Sequence, residues 1–242
     1  MEAIQTKGLT KVYKDITAVQ ELNLSVGKGE LFSLLGVNGA GKTTAIKMLC
    51  GLTRPTGGDA FLNGKSILQD AAEVKKIIAI SPQETAVAPG LTVRENLMLM
   101  AGVSGFSREA QQEKTDKISA QFGFASVIGK KAGKLSGGWQ RRLSIAMALI
   151  CDPEILFLDE PTLGLDVIAR SELWDMIRSL KGEMTIVLTT HYMEEAETLS
   201  DRIGIMKNGK LLICDTVEGI KAAAGADDLE KAFIHLVRGA AE

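Results

Sequence analysis

The residues best suited to chemistry form a glycine-rich loop between an apolar segment and a stretch of helix-forming residues. Gly36, Gly41, Lys42 and Thr43 satisfy the P-loop pattern Gly-x4-Gly-Lys-Thr. The glycines let the backbone wrap around an anion with its N–H groups pointing inward, and the N-terminus of the following helix adds positive potential. Lys42 would reach the β- and γ-phosphates of a nucleoside triphosphate, and the Thr43 hydroxyl would ligate Mg²⁺. The predicted triphosphate-binding residues are Gly36, Val37, Asn38, Gly39, Ala40, Gly41, Lys42, Thr43 and Thr44.

A second candidate site is a pair of carboxylates, Asp159 and Glu160, directly after the apolar run 155–158. Where a protein has such a loop, an acidic residue at the end of a neighbouring strand holds Mg²⁺ opposite the loop hydroxyl. That role falls to Asp159, and Glu160 could polarise the attacking water as a general base. The alternative is a strand-end pair that only solvates the sheet edge. The adjacent triphosphate loop favours the catalytic interpretation.

A third candidate is the start of a predicted helix at Ser136-Gly137-Gly138. Ser136 is placed as the N-cap and the glycines leave the first N–H groups open, which is typical of a second anion-binding helix start. An ordinary capped helix is the alternative, but it does not explain a second phosphate cradle in one chain. The apolar positions of this helix predict one buried face, formed by Trp139, Leu143, Ala146, Met147 and Ile150.

The elements that must position these residues are apolar strands that alternate with helices. The run 31–35 is continuously apolar, as expected of a strand buried on both faces, whereas 22–26 alternates as a strand with one wet face should. Helices are predicted after the glycine-rich loop, at 94–100, at 108–122 with Ser107 as N-cap, and at 227–237. The further predicted strands are 57–64, 77–80, 155–158, 186–189, 203–206 and 211–213.

This alternation predicts an α/β fold: a P-loop NTPase core with a parallel sheet, an N-terminal antiparallel β subdomain and an inserted α-helical subdomain. The predicted core covers residues 1–87 and 151–225. The helical insert with the third candidate site covers 88–150, and a short helical tail covers 226–242.

Composition limits the function classes. The 242 residues include 28 basic and 30 acidic side chains, so no overall basic field predicts a nucleic-acid partner. The three cysteines, Cys50, Cys151 and Cys214, are far apart and lie in apolar neighbourhoods, which predicts buried free thiols in a reducing compartment. The first residues lack the apolar core of a signal peptide, and no apolar run approaches a membrane span. We therefore expect a cytoplasmic chain without direct membrane insertion, which reaches a membrane only through a partner.

Six motifs, in this order, resemble those of the nucleotide-binding subunit of an ATP-binding cassette (ABC) transporter. The resemblance covers roughly residues 3–215. The motifs are Walker A at 36–44, the Q-loop at 81–84, the signature at 135–138, Walker B at 156–160, the D-loop at 161–166 and the switch histidine at 189–191.

The resemblance implies ATP and Mg²⁺ as ligands and assigns further roles at the site. Tyr13 would stack on adenine, and Val19 would lie near the ribose. Gln83 would contact Mg²⁺ or the lytic water, and it would also couple the site to the membrane partner. His191 would contact the γ-phosphate and steady the attacking water. A neutral histidine donor suits a developing phosphoryl charge.

The resemblance also implies two partners. Since the chain has one P-loop, two such chains, identical or related, would enclose two ATP molecules. Ser136, Gly137 and Gly138 would bind the ATP held by the opposite subunit, and Asp166 would contact that subunit across the dimer. Closure on ATP and reopening after hydrolysis would drive a separate transmembrane permease. The chain would then lie on the inner face of the cell membrane, held there by the permease.

The segments 141–143 and 190–197 resemble those of bacterial exporter ATPases of the drug, sodium and polysaccharide type. The sequence departs from the family pattern at Trp139, where glutamine is usual, and at Val37, where proline is frequent. Neither change removes a phosphate ligand. The transported substrate and the choice between homodimer and heterodimer stay open.

Two alternatives from other classes stay open as well. The first is a soluble cassette ATPase that acts in translation or DNA repair, although this chain has neither a second cassette nor a long coiled-coil insertion. The second is a structural or regulatory module that does not hydrolyse ATP. The presence of Lys42, Asp159, Glu160 and His191 argues against that module.

Overall fold

A computed structural model describes residues 1–239, which form two β-sheets with helices packed around them. The strands are β1 (Glu2–Tyr13), β2 (Ile16–Leu22), β3 (Ser25–Gly27), β4 (Leu31–Leu35), β5 (Gly57–Leu62), β6 (Lys65–Ser66), β7 (Ile78–Ser81), β8 (Ile155–Asp159), β9 (Thr185–Thr190), β10 (Arg202–Lys207) and β11 (Lys210–Asp215). The helices are α1 (Lys42–Leu49), α2 (Ala71–Ile77), α3 (Val93–Val103), α4 (Arg108–Gln121), α5 (Gly137–Leu149), α6 (Val167–Ser179), α7 (Met193–Leu199), α8 (Val217–Ala224) and α9 (Leu229–Gly239).

The larger sheet has six strands in the order β11-β10-β4-β9-β8-β7. Strands β10, β4, β9, β8 and β7 are parallel, and β11 pairs antiparallel with β10. Every residue of β4, β8 and β9 is buried, which agrees with their continuous apolar sequences. Since the carboxyl ends of parallel strands meet at one edge, the segments that follow β4, β8 and β9 come together there. The predicted α/β core is confirmed.

The smaller sheet is antiparallel, with the order β2-β1-β5-β6 and β3 paired to β1. It is the predicted N-terminal β subdomain. The single strand predicted at 22–26 is wrong, because β2 ends at Leu22 and β3 begins at Ser25. The Thr6 hydroxyl donates to the Leu22 carbonyl and accepts from the Leu24 N–H, each at 2.8 Å, so a side chain takes the place of the strand ladder between them. The predicted alternation of buried and more exposed residues is nevertheless present, with Leu22, Leu24 and Val26 buried.

The helices of the predicted insert are present as α3, α4 and α5. Ser107 caps α4 as predicted, accepting from the Ala110 N–H at 3.3 Å. The single buried face predicted for α5 is wrong: Ile145, Ala148 and Leu149, outside that face, are also buried. The helix lies between the other insert helices and the sheet and contacts α3, α6, β7 and β8, so most of its surface is covered. No helix among residues 1–239 is long and apolar enough to cross a bilayer.

Two further boundaries differ from the prediction. Ile77 ends α2, so the strand predicted at 77–80 begins one residue later. The predicted C-terminal helix is present as α9, with Leu229 and Phe233 buried, but α8 precedes it and packs in the same apolar cluster. Residues 240–242 of the predicted tail lie outside the described residues. The predicted division into core, insert and tail stays a prediction.

All three cysteines have free thiols, as predicted. Only Cys50 is fully buried, however, while Cys151 and Cys214 are partly exposed. An apolar neighbourhood in the sequence therefore overstates their burial.

Candidate functional site

A cleft of about 720 Å³ opens at the carboxyl edge of the larger sheet, between that sheet and the antiparallel subdomain. It brings together most of the predicted site residues with neighbours that the sequence did not single out. Its lining residues are Tyr13, Ile16, Thr17, Ala18, Asn38, Gly39, Ala40, Gly41, Lys42, Thr43, Thr44, Gln83, Glu160, Leu163, His191 and Asn208.

The glycine-rich loop that follows β4 needs glycine at both motif positions. A Cβ atom at Gly36 would lie 2.5 Å from the Met206 carbonyl oxygen, and one at Gly41 would lie 2.4 Å from that of Ala18. Gly41 also has a φ of +104°, which only glycine adopts easily. It occupies the N-cap of α1, where no side chain accepts a hydrogen bond from the first turn. The N–H groups of that turn therefore remain available to an anion.

Lys42 lies under this loop with 4% of its surface exposed. Its Nζ donates to the carbonyls of Gly36, at 2.8 Å, and Val37, at 3.3 Å. It also lies 3.5 Å from Glu160 Oε1. Burial lowers the pKa of Lys42, while the charges of Glu160 and Asp159 oppose that change. The ammonium group is thus held where it can face both the loop and the acidic residues at the end of β8.

The Asp159 carboxylate joins the loop to two strands. Its Oδ1 accepts from Thr43 Oγ1 at 3.1 Å and from Thr189 Oγ1 at 2.5 Å. Hydroxyl and carboxylate oxygens are the ligand types that Mg²⁺ prefers, so this pair fits the predicted metal. The sequence analysis placed Thr189 in the switch-histidine motif, two residues before His191, but did not predict its contact with Asp159.

Glu160 is the meeting point of the predicted catalytic side chains. Its Oε2 lies 3.4 Å from Gln83 Nε2 and 3.4 Å from His191 Nδ1. The His191 contact has the distance of an ion pair without hydrogen-bond geometry, so Nδ1 has no hydrogen-bond partner. Glu160 has a φ of +47°, a strained value for a residue with a side chain. Its N–H donates to the backbone oxygen and the hydroxyl of Thr189 at 3.1 and 3.0 Å, which fixes this conformation.

Gln83 is held by a residue that sequence reasoning did not connect to it. The guanidinium of Arg141, in α5, donates to the Pro82 carbonyl at 2.6 Å and also to the Gln83 carbonyl. Arg141 is buried, and this burial lowers its pKa. The sequence used Arg141 only for the resemblance to exporter ATPases, although a charged residue on the apolar side of a helix was a signal for a buried polar contact.

The two residues predicted at the base and the ribose have different environments. Tyr13 is 44% exposed at the mouth of the cleft, with Lys11 Nζ 4.8 Å from its ring centroid. Val19 is fully buried in the core cluster that also contains Ala40, and it does not line the cleft. Its apolar side chain packs into the core, and its place near a ribose stays a prediction. Thr17 and Ala18 line the cleft instead.

The signature residues are outside the cleft. Ser136 and Gly137 are exposed and Gly138 is partly buried, at the start of α5. Ser136 occupies the N-cap position as predicted, and its side chain accepts no hydrogen bond from the first turn, so those N–H groups stay open. The first turn of α5 has no acidic residue either. This helix start is open to an anion from outside the chain.

Asp166 has a structural role that the sequence analysis did not consider. It is exposed at the N-cap of α6, where its Oδ1 accepts from the N–H groups of Ile168 and Ala169 at 3.0 and 2.9 Å. An aspartate directly before a helix is the usual signal for such a cap. This cap lies within one chain and does not test the predicted contact of Asp166 with a second subunit, which stays a prediction.

The sequence profile of the family described as "ABC transporter" matches residues 19–163. The chain is 40% identical over 241 residues to the "Probable multidrug ABC transporter ATP-binding protein YbhF" of Escherichia coli, which covers 97% of this chain and 41% of that protein. It is 39% identical over 228 residues to the "Daunorubicin/doxorubicin resistance ATP-binding protein DrrA" of Streptomyces peucetius, covering 94% and 69%. The chain thus spans about two fifths of the E. coli relative's length.

Solved structures give the same assignment of the fold. An ATP-binding subunit of an ABC transporter superposes with a TM-score of 0.86 at 26% identity, covering 97% of this chain and 99% of that one. The ATP-binding cassette MJ0796, solved as a dimer bound to ADP and Pi, superposes with a TM-score of 0.79 at 28% identity, covering 88% and 98%.

Proposed function

The chain belongs to the ABC transporter family and has the ATPase cassette fold, and from this premise we propose that it binds and hydrolyses ATP to drive a membrane permease. One observation carries the proposal. Lys42, Asp159, Glu160, His191 and Gln83 come from four separate segments and meet at one edge of the sheet, within 3.5 Å of their neighbours. Phosphoryl transfer needs positioning and electrostatic stabilisation above all, and this arrangement can supply both.

The chain's own residues would divide the work as follows. The N–H groups of loop 36–44 and the Lys42 ammonium hold the phosphates. Thr43 and Asp159, with Gln83, would hold Mg²⁺, which neutralises part of the phosphate charge when it is bound. Glu160 takes a proton from the attacking water, while His191 and Gln83, both 3.4 Å from its carboxylate, keep that water in line.

Adenine would stack on the face of Tyr13 that Lys11 does not cover. Lys11 Nζ also donates to the Arg54 carbonyl at 2.7 Å, which fixes the cation on its side of the ring. Thr17 and Ala18 are better placed than Val19 to contact the ribose, because they line the cleft.

A second copy of this chain, or a related one, would complete the site. The open helix start at Ser136–Gly138 supports this, because it presents N–H groups to the outside while the cleft holds the other phosphate ligands. Val167 and Ile168 follow Asp166 and are 71% and 72% exposed, as expected of apolar residues that a partner covers. The relative MJ0796 was solved as a dimer.

The complex would be an exporter, with the chain on the inner face of the cell membrane through its permease. The names of the E. coli and S. peucetius relatives, which refer to multidrug transport and drug resistance, support this direction. They do not assign a substrate to this chain. The alternative of a soluble ATPase in translation or DNA repair has no comparable support, and the near-balanced charge favours no nucleic-acid partner.

Two measurements test the proposal. The purified chain should release phosphate from ATP only with Mg²⁺, and chelation with EDTA should abolish the activity. Affinity purification from the native membrane should recover a polytopic membrane protein together with the chain. Recovery with ribosomes or DNA instead of a membrane protein would show that the transport part of the proposal is wrong.

A further inference from the structure

Glu195, in α7, is a buried carboxyl group to which the mechanism above gives no role. It is fully buried. Its Oε1 accepts from Thr162 Oγ1 at 2.8 Å and from Trp174 Nε1 at 3.1 Å, whereas Oε2 has no hydrogen-bond partner. Arg170, the nearby cation, pairs with Glu194 instead, at 3.5 Å. A carboxyl group buried without an ion-pair partner lowers stability, so its position calls for a functional explanation.

Burial raises the pKa of Glu195, and the hydrogen bonds from Thr162 and Trp174 oppose that change. The two donors come from different places, Thr162 from the turn after β8 and Trp174 from α6, while Glu195 itself lies in α7, which begins two residues after His191. Glu195 therefore connects the two segments that carry Glu160 and His191.

The first of these connections concerns the strained turn of Glu160. A residue with a side chain is strained at a positive φ, and this conformation persists only where its surroundings fix it. Thr189 fixes the turn from the side of β9 through the Glu160 N–H. Thr162 lies two residues after Glu160 and is 1% exposed. Its hydroxyl donates to Glu195, and this bond fixes the turn from the other side. Removal of this second anchor would let Glu160 relax.

The second connection concerns His191. Its ring lies 4.1 Å from that of Tyr192, between centroids, and the Tyr192 N–H donates to Thr190 Oγ1 at 2.9 Å. The Arg170 guanidinium lies 5.7 Å from the Tyr192 ring and 5.3 Å from the Trp174 ring. The helix that contacts Glu195 through Trp174 thus also contacts Tyr192, whose ring packs at a tilt against that of His191.

We infer that Glu195 is a positioning residue for ATP hydrolysis: its carboxyl group fixes the turn of Glu160 and helix α6 relative to the loop that carries His191. The inference rests on the proposed function and adds a residue to it. Glu160 and His191 lie 3.4 Å apart, and reaction rates are sensitive to misplacements on the order of 1 Å at such distances. Nucleotide binding does not depend on Glu195, because neither the glycine-rich loop at 36–44 nor Lys42 contacts its side chain.

The test compares Glu195→Ala with Glu195→Gln in the full chain. The alanine variant should lower kcat at least about tenfold while Kd for ATP stays within about twofold, since the displaced groups act on the water and not on the phosphates. The glutamine variant should recover most of the rate, because its amide oxygen accepts from the same two donors. The matched control is Glu197→Gln on the same helix, whose side chain is exposed and pairs with Lys221 at 3.0 Å. Its kcat should equal that of the unchanged chain.

Thr162→Val provides an independent test that keeps the shape of the turn and removes only one donor. We expect a several-fold loss of kcat without a change in Kd. An unchanged kcat in Glu195→Ala or in Thr162→Val would overturn the inference. So would a parallel loss of kcat, ATP binding and melting temperature that glutamine does not rescue, since that pattern indicates a purely structural role. An unchanged chain that hydrolyses no ATP would instead overturn the proposed function, and this inference with it.

Discussion

The two helix starts that are proposed to bind phosphate groups, α1 and α5, differ in how much of their surroundings the chain supplies. At α1 the glycines pack against the backbones of Met206 and Ala18, and Lys42 is buried beneath the loop. At α5 Ser136 and Gly137 are exposed, and the serine hydroxyl makes no capping bond. Both starts have the same local chemistry, namely glycines and open N–H groups. Of the two, α1 lies beside the Lys42 ammonium, the proposed metal ligands Thr43 and Asp159, and the proposed base Glu160.

This difference supports the proposal that one chain contains most of one ATP site and contributes a separate part to the site of a partner chain. The cleft is built for binding and chemistry, and its polar groups already contact each other. The segment 136–138 lies outside the cleft, and under the proposed function it acts only on the nucleotide of a partner chain. Mutations in the two regions should therefore affect different steps.

The largest expected effect is that of Glu160→Gln. Loss of the general base should lower the rate of phosphate release about 10²- to 10³-fold, while ATP binding persists. With hydrolysis blocked, an ATP-bound dimer should accumulate and be visible by size-exclusion chromatography with light scattering. Glu183→Gln, at an exposed position, should match the unchanged chain. A normal rate in the Glu160 variant would show that another group is the base.

Lys42→Ala should weaken the binding of ATP. Loss of a charge-assisted contact to phosphate costs about 1.5–3 kcal/mol, which corresponds to a Kd raised roughly 10- to 150-fold. A titration with a fluorescent ATP analogue measures this change. Lys47→Ala is the control, since Lys47 is exposed on the same helix. Equal Kd values for both variants would contradict the role of Lys42.

Ser136→Ala should separate the two regions most clearly. We expect an unchanged Kd for ATP in the isolated chain and a kcat lowered about tenfold, because the serine contributes about one hydrogen bond to the partner's nucleotide. The difference in rate between this variant and the unchanged chain should disappear when hydrolysis is measured at a protein concentration too low for either of them to dimerise. A weakened Kd at the monomer's own cleft would refute the distinction between the regions.

Trp139→Gln should have the smallest effect. The indole packs against Phe124, with centroids 5.9 Å apart, and Arg142 lies 5.0 Å from its ring. We expect ATPase activity within about twofold of normal and a free energy of unfolding lowered by about 1 kcal/mol, from the lost aromatic and cation–π contacts. Thermal unfolding with an activity assay measures both. A large loss of activity would give the indole a direct role in hydrolysis.

The sequence by itself determined the parallel core and the main parts of the cleft. Gly36–Thr44, Asp159 and Glu160 were predicted because glycine spacing and the residue after a buried strand are local features. The antiparallel subdomain and the insert helices followed from periodicity in the same way. The split of 22–26 into two strands did not, because it depends on Thr6, sixteen residues before Leu22.

Tertiary structure alone decided which residues support the catalytic ones. Thr189 binds Asp159 across 30 positions, Arg141 binds Gln83 across 58, and Glu195 binds Thr162 across 33. The burial of Val19 could not be predicted for the same reason, since it depends on the core beneath the loop. A local pattern specifies backbone conformation and the chemistry of a side chain. Contacts between distant segments depend on how strands and helices pack, and only the folded chain settles that packing.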